Sequence, residues 1–148
     1  MRRLVALTIG LLTGCHHRPP AQTIVVDPAL PASTVADAHG AYAAWWSCVT
    51  RKPDAPASYA VLQIVGVQGA GWHTVQGQRI LLDAAPWRTY SPERRHAVLV
   101  HELGHFYGLI DCPNGTPEPS IMSWKNTVHV ATRTAYDCKL FCSRWRCD

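Results

Sequence analysis

The sequence predicts a single α+β domain, in which short strands rich in β-branched residues alternate with amphipathic helices. The chain has 148 residues, of which 47% are hydrophobic and 16% are charged. This size and composition suit one globular domain with a buried core rather than two domains. No apolar run reaches the roughly eighteen residues that a membrane-spanning helix needs, so we expect a soluble domain.

The first fifteen residues, MRRLVALTIGLLTGC, have the organisation of an export signal, with two arginines, a short apolar run and then small residues. We therefore assign residues 1–14 to a signal peptide. The ending LLTGC resembles a bacterial lipobox, which implies that Cys15 is lipidated, that 15–22 form a tether and that 23–148 form the domain. The protein would be anchored to the cell envelope, at the outer membrane in a Gram-negative host because His16 follows the cysteine. The alternative is an ordinary signal peptide and a periplasmic or secreted protein.

The first half of the domain reads as strand, helix and strand. The stretch TIVVD predicts one strand, and YAVLQIVGV, which begins at Tyr59, predicts a buried one. Between them, Pro31 to Thr50 predicts a helix that Ser33 or Thr34 can cap. Its expected buried stripe consists of Val35, Ala38, Tyr42, Trp45, Trp46 and Val49.

The second half of the domain predicts two strands and two helices. GWHTVQGQRILLD reads as two extended runs joined across Gln-Gly-Gln, and the second run, Arg79 to Asp83, ends at a proline loop. A helix follows, since Ser91 can cap it and a proline suits its first turn, and it runs to about Tyr107. Residues Thr132 to Trp145 predict the last helix.

The stretch HELGHFYGLID, residues 101–111, carries the clearest chemistry in the chain. His101 and His105 are four residues apart on a helix, so they lie on one face and can bind one metal ion. Glu102 lies beside the first histidine, where it can act as a general base. Catalytic zinc sites use three protein ligands and a water, and Asp111 is the natural third ligand. It can reach the metal only if the helix stops, and Gly108 provides that stop.

The motif HELGHFYGLID resembles the extended zinc motif of the metzincin metallopeptidases, HExxHxxGxx(H/D), and its aspartate form is similar to that of the snapalysin group. Downstream, SIMSW resembles the Met-turn of this family, with Met122 beneath the metal. The resemblance implies a zincin fold: a twisted mixed sheet with an antiparallel edge strand, a zinc-binding helix, a Met-turn and a C-terminal helix. It also implies one catalytic Zn²⁺ held by His101, His105 and Asp111, with Glu102 as the base.

By the same resemblance, the peptide substrate lies along the edge strand, which we expect at Arg79 to Asp83, in contact with Ile80, Leu81 and Leu82. Some metzincins have a tyrosine two residues after the Met-turn methionine, whereas this chain has Trp124, which can donate a hydrogen bond but cannot ligate zinc as a phenolate does. The expected function is therefore that of a zinc metalloendopeptidase. The alternatives are a hydrolase of cell-wall peptides and a non-catalytic, zinc-stabilised binding lipoprotein.

The net charge restricts the possible partners further. Loss of Arg2 and Arg3 with the signal peptide lowers the net charge from +4 to +2, which gives no indication of nucleic-acid binding. We expect a monomer that acts on peptides and reaches the membrane through its lipid alone. The other histidines, including His73, have no partner at ligand spacing, and we assign them no function.

Export favours disulfide bonds. Cys138 and Cys142 lie four residues apart on one helix face, so they should bond different partners, for which Cys112 and Cys48 are candidates. For Cys112 we expect a disulfide rather than contact with the metal. Apart from Cys15 the chain has five cysteines, the last of which is Cys147. Because five is an odd number, the sequence leaves the pairing open.

Overall fold

The computed structural model describes residues 23–49, 61–70, 73–112, 120–123 and 134–146. The predictions for the signal peptide, Cys15, the tether and Trp124 concern residues outside these ranges.

The described strands are β1 (Thr23–Val26), β2 (Val61–Val67), β3 (Thr74–Gln76) and β4 (Arg79–Asp83). They form one mixed sheet in the order β1-β2-β4-β3. Strands β1, β2 and β4 are parallel, and β3 is antiparallel to β4. This confirms the α+β class and the antiparallel outer strand.

The prediction that Arg79 to Asp83 forms the edge of the sheet is wrong. Strand β4 pairs with β2 on one side and with β3 on the other. The reason is the tight turn at Gly77, whose φ of +60° lets β3 fold back onto β4. Ile80 and Leu82 are fully buried and belong to the core, so neither can contact a substrate.

Four helices complete the described structure: α1 (Ser33–Trp46), α2 (Ala84–Thr89), α3 (Pro92–Phe106) and α4 (Ala135–Trp145). Helices α1 and α3 pack on each other, and both contact the sheet. The indole N–H of Trp45 donates to the carbonyl of Val100 at 2.7 Å, which fixes α1 against α3. None of the described helices is long and apolar enough to cross a membrane.

Two predictions about α1 are wrong. Its N-cap is Ala32, without a side-chain cap, and not Ser33 or Thr34. The Thr34 hydroxyl is buried and accepts a hydrogen bond from the indole of Trp87 at 3.0 Å, so it fixes α2 to α1 instead of capping. Val35 is 44% exposed and lies outside the buried stripe.

Helix α2 stands where a proline loop was expected. The Asp83 carboxylate accepts from the backbone N–H of Ala85 and caps this helix directly at the end of β4. Pro86 falls in the first turn of α2, where the backbone donors have no partner inside the helix, so it does not disrupt the helix. The predicted start of α3 is confirmed, because the Ser91 side chain accepts from the backbone of Arg94.

Helix α4 is joined to the end of α1 by a disulfide between Cys48 and Cys138, and Cys142 is also disulfide-bonded. The expected disulfide of Cys112 is wrong: Cys112 is a free, buried thiol among the described residues. Its sulfur lies inside the fold, 3.4 Å from the hydroxyl of Ser120.

Candidate metal centre

Helix α3 ends where the motif requires it to end. Gly108 has a φ of +83°, a left-handed conformation that strains any residue with a Cβ. The N–H of Gly108 donates to the carbonyl of His105 at 2.8 Å, and the N–H of Leu109 donates to the carbonyl of Gly104 at 2.9 Å. These two bonds form a Schellman motif, which stops the helix and turns the chain back toward the histidine face.

Backbone carbonyls fix the protonation pattern of both histidines. The Nδ1 of His105 lies 2.9 Å from the carbonyl of Leu109, and the Nδ1 of His101 lies 2.8 Å from the carbonyl of Ile121. A carbonyl can only accept, so each Nδ1 carries the proton and donates it. Each Nε2 is then left with its lone pair directed toward the other ring, as metal-binding histidines require.

Asp111 completes a set of three ligand atoms. The two Nε2 atoms are 3.1 Å apart, and the Oδ1 of Asp111 lies 3.5 Å from that of His101 and 3.4 Å from that of His105. Ligands at about 2.0 Å from a tetrahedral ion would lie about 3.3 Å from one another. The separations therefore fit a small tetrahedral cation, and among the described residues this is the group that could hold one.

Glu102 lies beside this group in a buried position. The residue is buried, and its Oε2 atom has no hydrogen-bond partner among the described residues. Burial and, to a smaller extent, the negative charge of Asp111 together raise the pKa of the Glu102 carboxyl to about 7. Glu102 lines a cleft of about 360 Å³ together with His101, His105 and Asp111. A carboxyl of this kind can exchange a proton near neutral pH.

The turn at residues 120–123 contacts α3, where the carbonyl of Ile121 lies 2.8 Å from the Nδ1 of His101. Met122 is fully buried, and a Cβ added to Gly104 would collide with its sulfur and come within 3.1 Å of the Trp45 ring. The glycine inside HELGH is therefore needed for close packing, a role that sequence reasoning did not assign to it. The N–H of Cys112 also donates to the carbonyl of Met122 at 2.9 Å, so the turn is fixed to the segment that carries Asp111.

Asp137, on α4, anchors this turn and was also missed. Its buried carboxylate accepts from the hydroxyl of Ser120 and from the N–H of Ile121, and from the backbone and hydroxyl of Thr134. Ile121 in turn supplies the carbonyl that orients His101. The T-x-x-D spacing of Thr134 and Asp137 indicates a capping box, but nothing in the sequence indicates the contact with residues 120 and 121.

The same cleft is also lined by His73, Thr74, Tyr90, Arg94 and Val98. The Nε2 of His73 lies 3.4 Å from the Tyr90 hydroxyl, and the Arg94 guanidinium stacks over the Tyr90 ring at 4.5 Å. Sequence reasoning assigned His73 no function, because its partners lie ten and seventeen residues away. Leu81, Ile80 and Leu82 are not among the lining residues.

Searches with protein-family models and against curated proteins find no match to this chain.

Proposed function

We propose that this protein is a zinc-dependent metallopeptidase. The observation that carries the proposal is the convergence of three metal-ligand atoms beside Glu102, whose buried Oε2 has no hydrogen-bond partner within the described part of the chain. A purely structural zinc site usually has four protein ligands and needs no base. Three ligands, a neighbouring base and an adjoining cleft are what metal-assisted hydrolysis requires.

In the proposed enzyme each residue of the centre has a separate role. His101, His105 and Asp111 would hold the ion, which when bound would polarise the carbonyl of a peptide bond and acidify a nearby water. Glu102 takes a proton from the attacking water and later gives it to the leaving amine, for which a pKa of about 7 is suitable. Two imidazoles and one carboxylate suit zinc better than magnesium or calcium, which prefer oxygen ligands.

The metzincin assignment is part of the same proposal. It rests on the resemblance of the motif at 101–111, and the mixed sheet and the contact of Met122 with Gly104 are compatible with it. Because β4 lies inside the sheet, the outer strand next to the cleft is β3, and Thr74 lines that cleft. An extended peptide would bind along β3 instead of β4, through backbone hydrogen bonds.

We further propose that the enzyme acts at the bacterial envelope as a monomer, anchored through Cys15. The anchoring at Cys15 rests on the N-terminal sequence alone. Mass spectrometry of the protein purified from membranes tests it: a diacylated or triacylated Cys15 at the mature N-terminus is expected. A mature chain that begins elsewhere and carries no lipid would favour a periplasmic or secreted enzyme.

The function can be tested with the full chain exported in a bacterial host, in three forms: wild type, Glu102→Gln and Glu93→Gln. Glu93 lies in the first turn of the same helix and is exposed, so it provides a matched control. We expect about one zinc per chain in all three proteins. Cleavage of a quenched protein substrate should be abolished by a chelator, and Glu102→Gln should lower kcat roughly 100-fold or more.

Three results would count against the proposal. Folded protein that binds no zinc would remove the metal centre. Full activity of Glu102→Gln would show that Glu102 is not the base. Stoichiometric zinc without cleavage of proteins in any form would favour cell-wall peptides as substrates, or a binding lipoprotein, and isolated peptide stems would then be the next substrate to assay.

A further inference from the structure

His73 holds its proton on the opposite nitrogen from the two metal-site histidines. The backbone N–H of Asp83 donates to the Nδ1 of His73 at 3.1 Å. That nitrogen must therefore be unprotonated, and in a neutral ring the proton is on Nε2. Burial lowers the pKa of His73, which favours the neutral ring.

The Nε2–H of His73 then donates to the Tyr90 hydroxyl, across 3.4 Å. Because the oxygen of Tyr90 accepts this bond, its own hydrogen remains available as a donor. Among the described residues no acceptor lies within hydrogen-bond distance of that hydrogen other than the His73 ring. Both residues line the cleft that contains Glu102 and the metal-ligand group.

Tyr90 is held rigidly. Its ring packs edge-on against those of His73 and Trp87, with centroids 5.7 and 6.1 Å apart. The guanidinium of Arg95 donates to the backbone carbonyl of Tyr90 at 2.9 Å and is itself paired with Asp37 at 2.7 Å. A donor fixed on both its ring and its backbone loses little entropy on binding a ligand.

We propose that the Tyr90 hydroxyl donates a hydrogen bond to a backbone carbonyl of the peptide bound in this cleft, and that His73 is the positioning residue that orients this hydroxyl. The inference rests on the proposed peptidase function. A peptide presents a carbonyl at every residue, and each one that is buried on binding needs a donor. The ligand class is therefore an extended peptide, recognised by its backbone and not by its side chains.

The first experiment compares the full-length wild type with Tyr90→Phe and Tyr136→Phe. Phenylalanine keeps the ring contacts of Tyr90 and removes only the hydroxyl. A neutral hydrogen bond of about 1 kcal/mol corresponds to a roughly fivefold rise in KM, with kcat nearly unchanged. Zinc content and melting temperature should stay at their wild-type values. Tyr136, a half-buried tyrosine of α4 outside this cleft, is the control and should leave KM unchanged.

The role of His73 is tested by His73→Leu and His73→Gln, alone and combined with Tyr90→Phe. Leucine removes the donor, so KM should rise as in Tyr90→Phe, and the double variant should be no worse than either single variant. Glutamine places an amide N–H near the position of Nε2 and should restore part of the lost affinity. A merely structural role of His73 predicts additive losses and no rescue by glutamine.

An unchanged KM in Tyr90→Phe with active wild-type enzyme would overturn this inference and leave the peptidase intact. If the wild type cleaves nothing, calorimetric titration of zinc-loaded protein with an unstructured peptide separates the two proposals. Weaker binding by Tyr90→Phe would sustain the tyrosine contact without the peptidase. Equal binding, or no binding by either form, would overturn both.

Discussion

The two ends of the cleft use histidine in opposite ways. At the metal end, His101 and His105 each donate from Nδ1 to a backbone carbonyl, so their Nε2 lone pairs are free to bind a cation. At the tyrosine end, His73 accepts a backbone N–H at Nδ1, so its Nε2 carries a proton. The same side chain becomes a ligand or a donor according to the backbone group that it meets.

This difference shows that the type of residue alone does not define its role in the site. A carbonyl beside Nδ1 keeps the ring proton on Nδ1 and leaves Nε2 able to bind a metal. An amide N–H beside Nδ1 instead places the ring proton on Nε2, so Nε2 cannot bind one. His73 is thus unsuited to be a fourth ligand in the tautomer that the fold imposes, although it lines the same cleft.

Within the metal end, the two histidines also differ in how far away their support lies. His105 is oriented by Leu109, four residues on, through the end of its own helix. His101 is oriented by Ile121, twenty residues on, and Ile121 is fixed by Asp137 of α4. One ligand is set by local structure and the other by the complete fold, and each dependence can be tested by breaking it.

The largest effect is expected for Asp137→Ala. The change removes the acceptor of the buried donors on Ser120 and Ile121, and the bond from the half-buried backbone N–H of Thr134. Each unpaired buried group costs about 1–3 kcal/mol, so the free energy of unfolding should fall by roughly 3 kcal/mol or more. Urea denaturation of the metal-free protein measures this, and Asp137→Asn, which keeps one carbonyl oxygen, should be intermediate.

Saturating zinc should recover part of the stability lost by Asp137→Ala, because the metal binds only the folded state. The zinc affinity should nevertheless be weaker than in the wild type, since the carbonyl of Ile121 is no longer fixed behind His101. Unaltered stability together with unaltered zinc affinity would contradict the anchoring role of Asp137.

The local half of the site is the half that could be predicted from sequence. The spacing of His101, His105 and Gly108 is set by helix geometry and by a positive φ, which act over a few residues. The start of α3 at Ser91 was predictable for the same reason. In the sheet, β-branched and apolar runs indicated the strands, but the position of β4 inside the sheet depends on how β3 folds back.

The unpredicted half depends on contacts between segments distant in the chain. Asp137 has a local role as a capping residue, and that role conceals its bond to Ile121. Thr34 resembled a helix cap but instead accepts from Trp87, 53 residues away. Nothing in the sequence indicates that Met122 packs against Gly104. Such roles follow from packing, which a single sequence does not specify.

An intermediate effect is expected for Gly108→Ala, which strains the end of α3. A Cβ in the left-handed conformation costs about 1–2 kcal/mol. Gly69→Ala is a matched control, because Gly69 also has a positive φ, +66°, and has open space beside it. Both variants should lose similar stability, but only Gly108→Ala should weaken zinc binding, roughly tenfold, because it disturbs the support of His105.

Competition with a chromophoric chelator measures the zinc affinity of each variant. Equal zinc affinities in Gly108→Ala and Gly69→Ala would contradict the local support of His105.

The smallest effect is expected for the pH dependence that His73 contributes to stability. Burial lowers the pKa of folded His73, whereas in the unfolded chain it titrates near the usual value of about 6.5. As the pH falls through 6.5, the unfolded state binds a proton that the folded state does not, so the stability of the wild type should fall relative to His73→Leu. Above that pH the two should differ by a constant amount.

Urea denaturation of both proteins at pH 7.5, 6.5 and 5.5, with chelator present, measures this difference in stability. The sign of its change with pH is the test. The contributions of His101 and the other shared groups cancel in the comparison. If the wild type instead gained stability over His73→Leu at low pH, folded His73 would be binding a proton. Its Nδ1 could then no longer accept from the N–H of Asp83, and the contrast in tautomer between the two ends of the cleft would not hold.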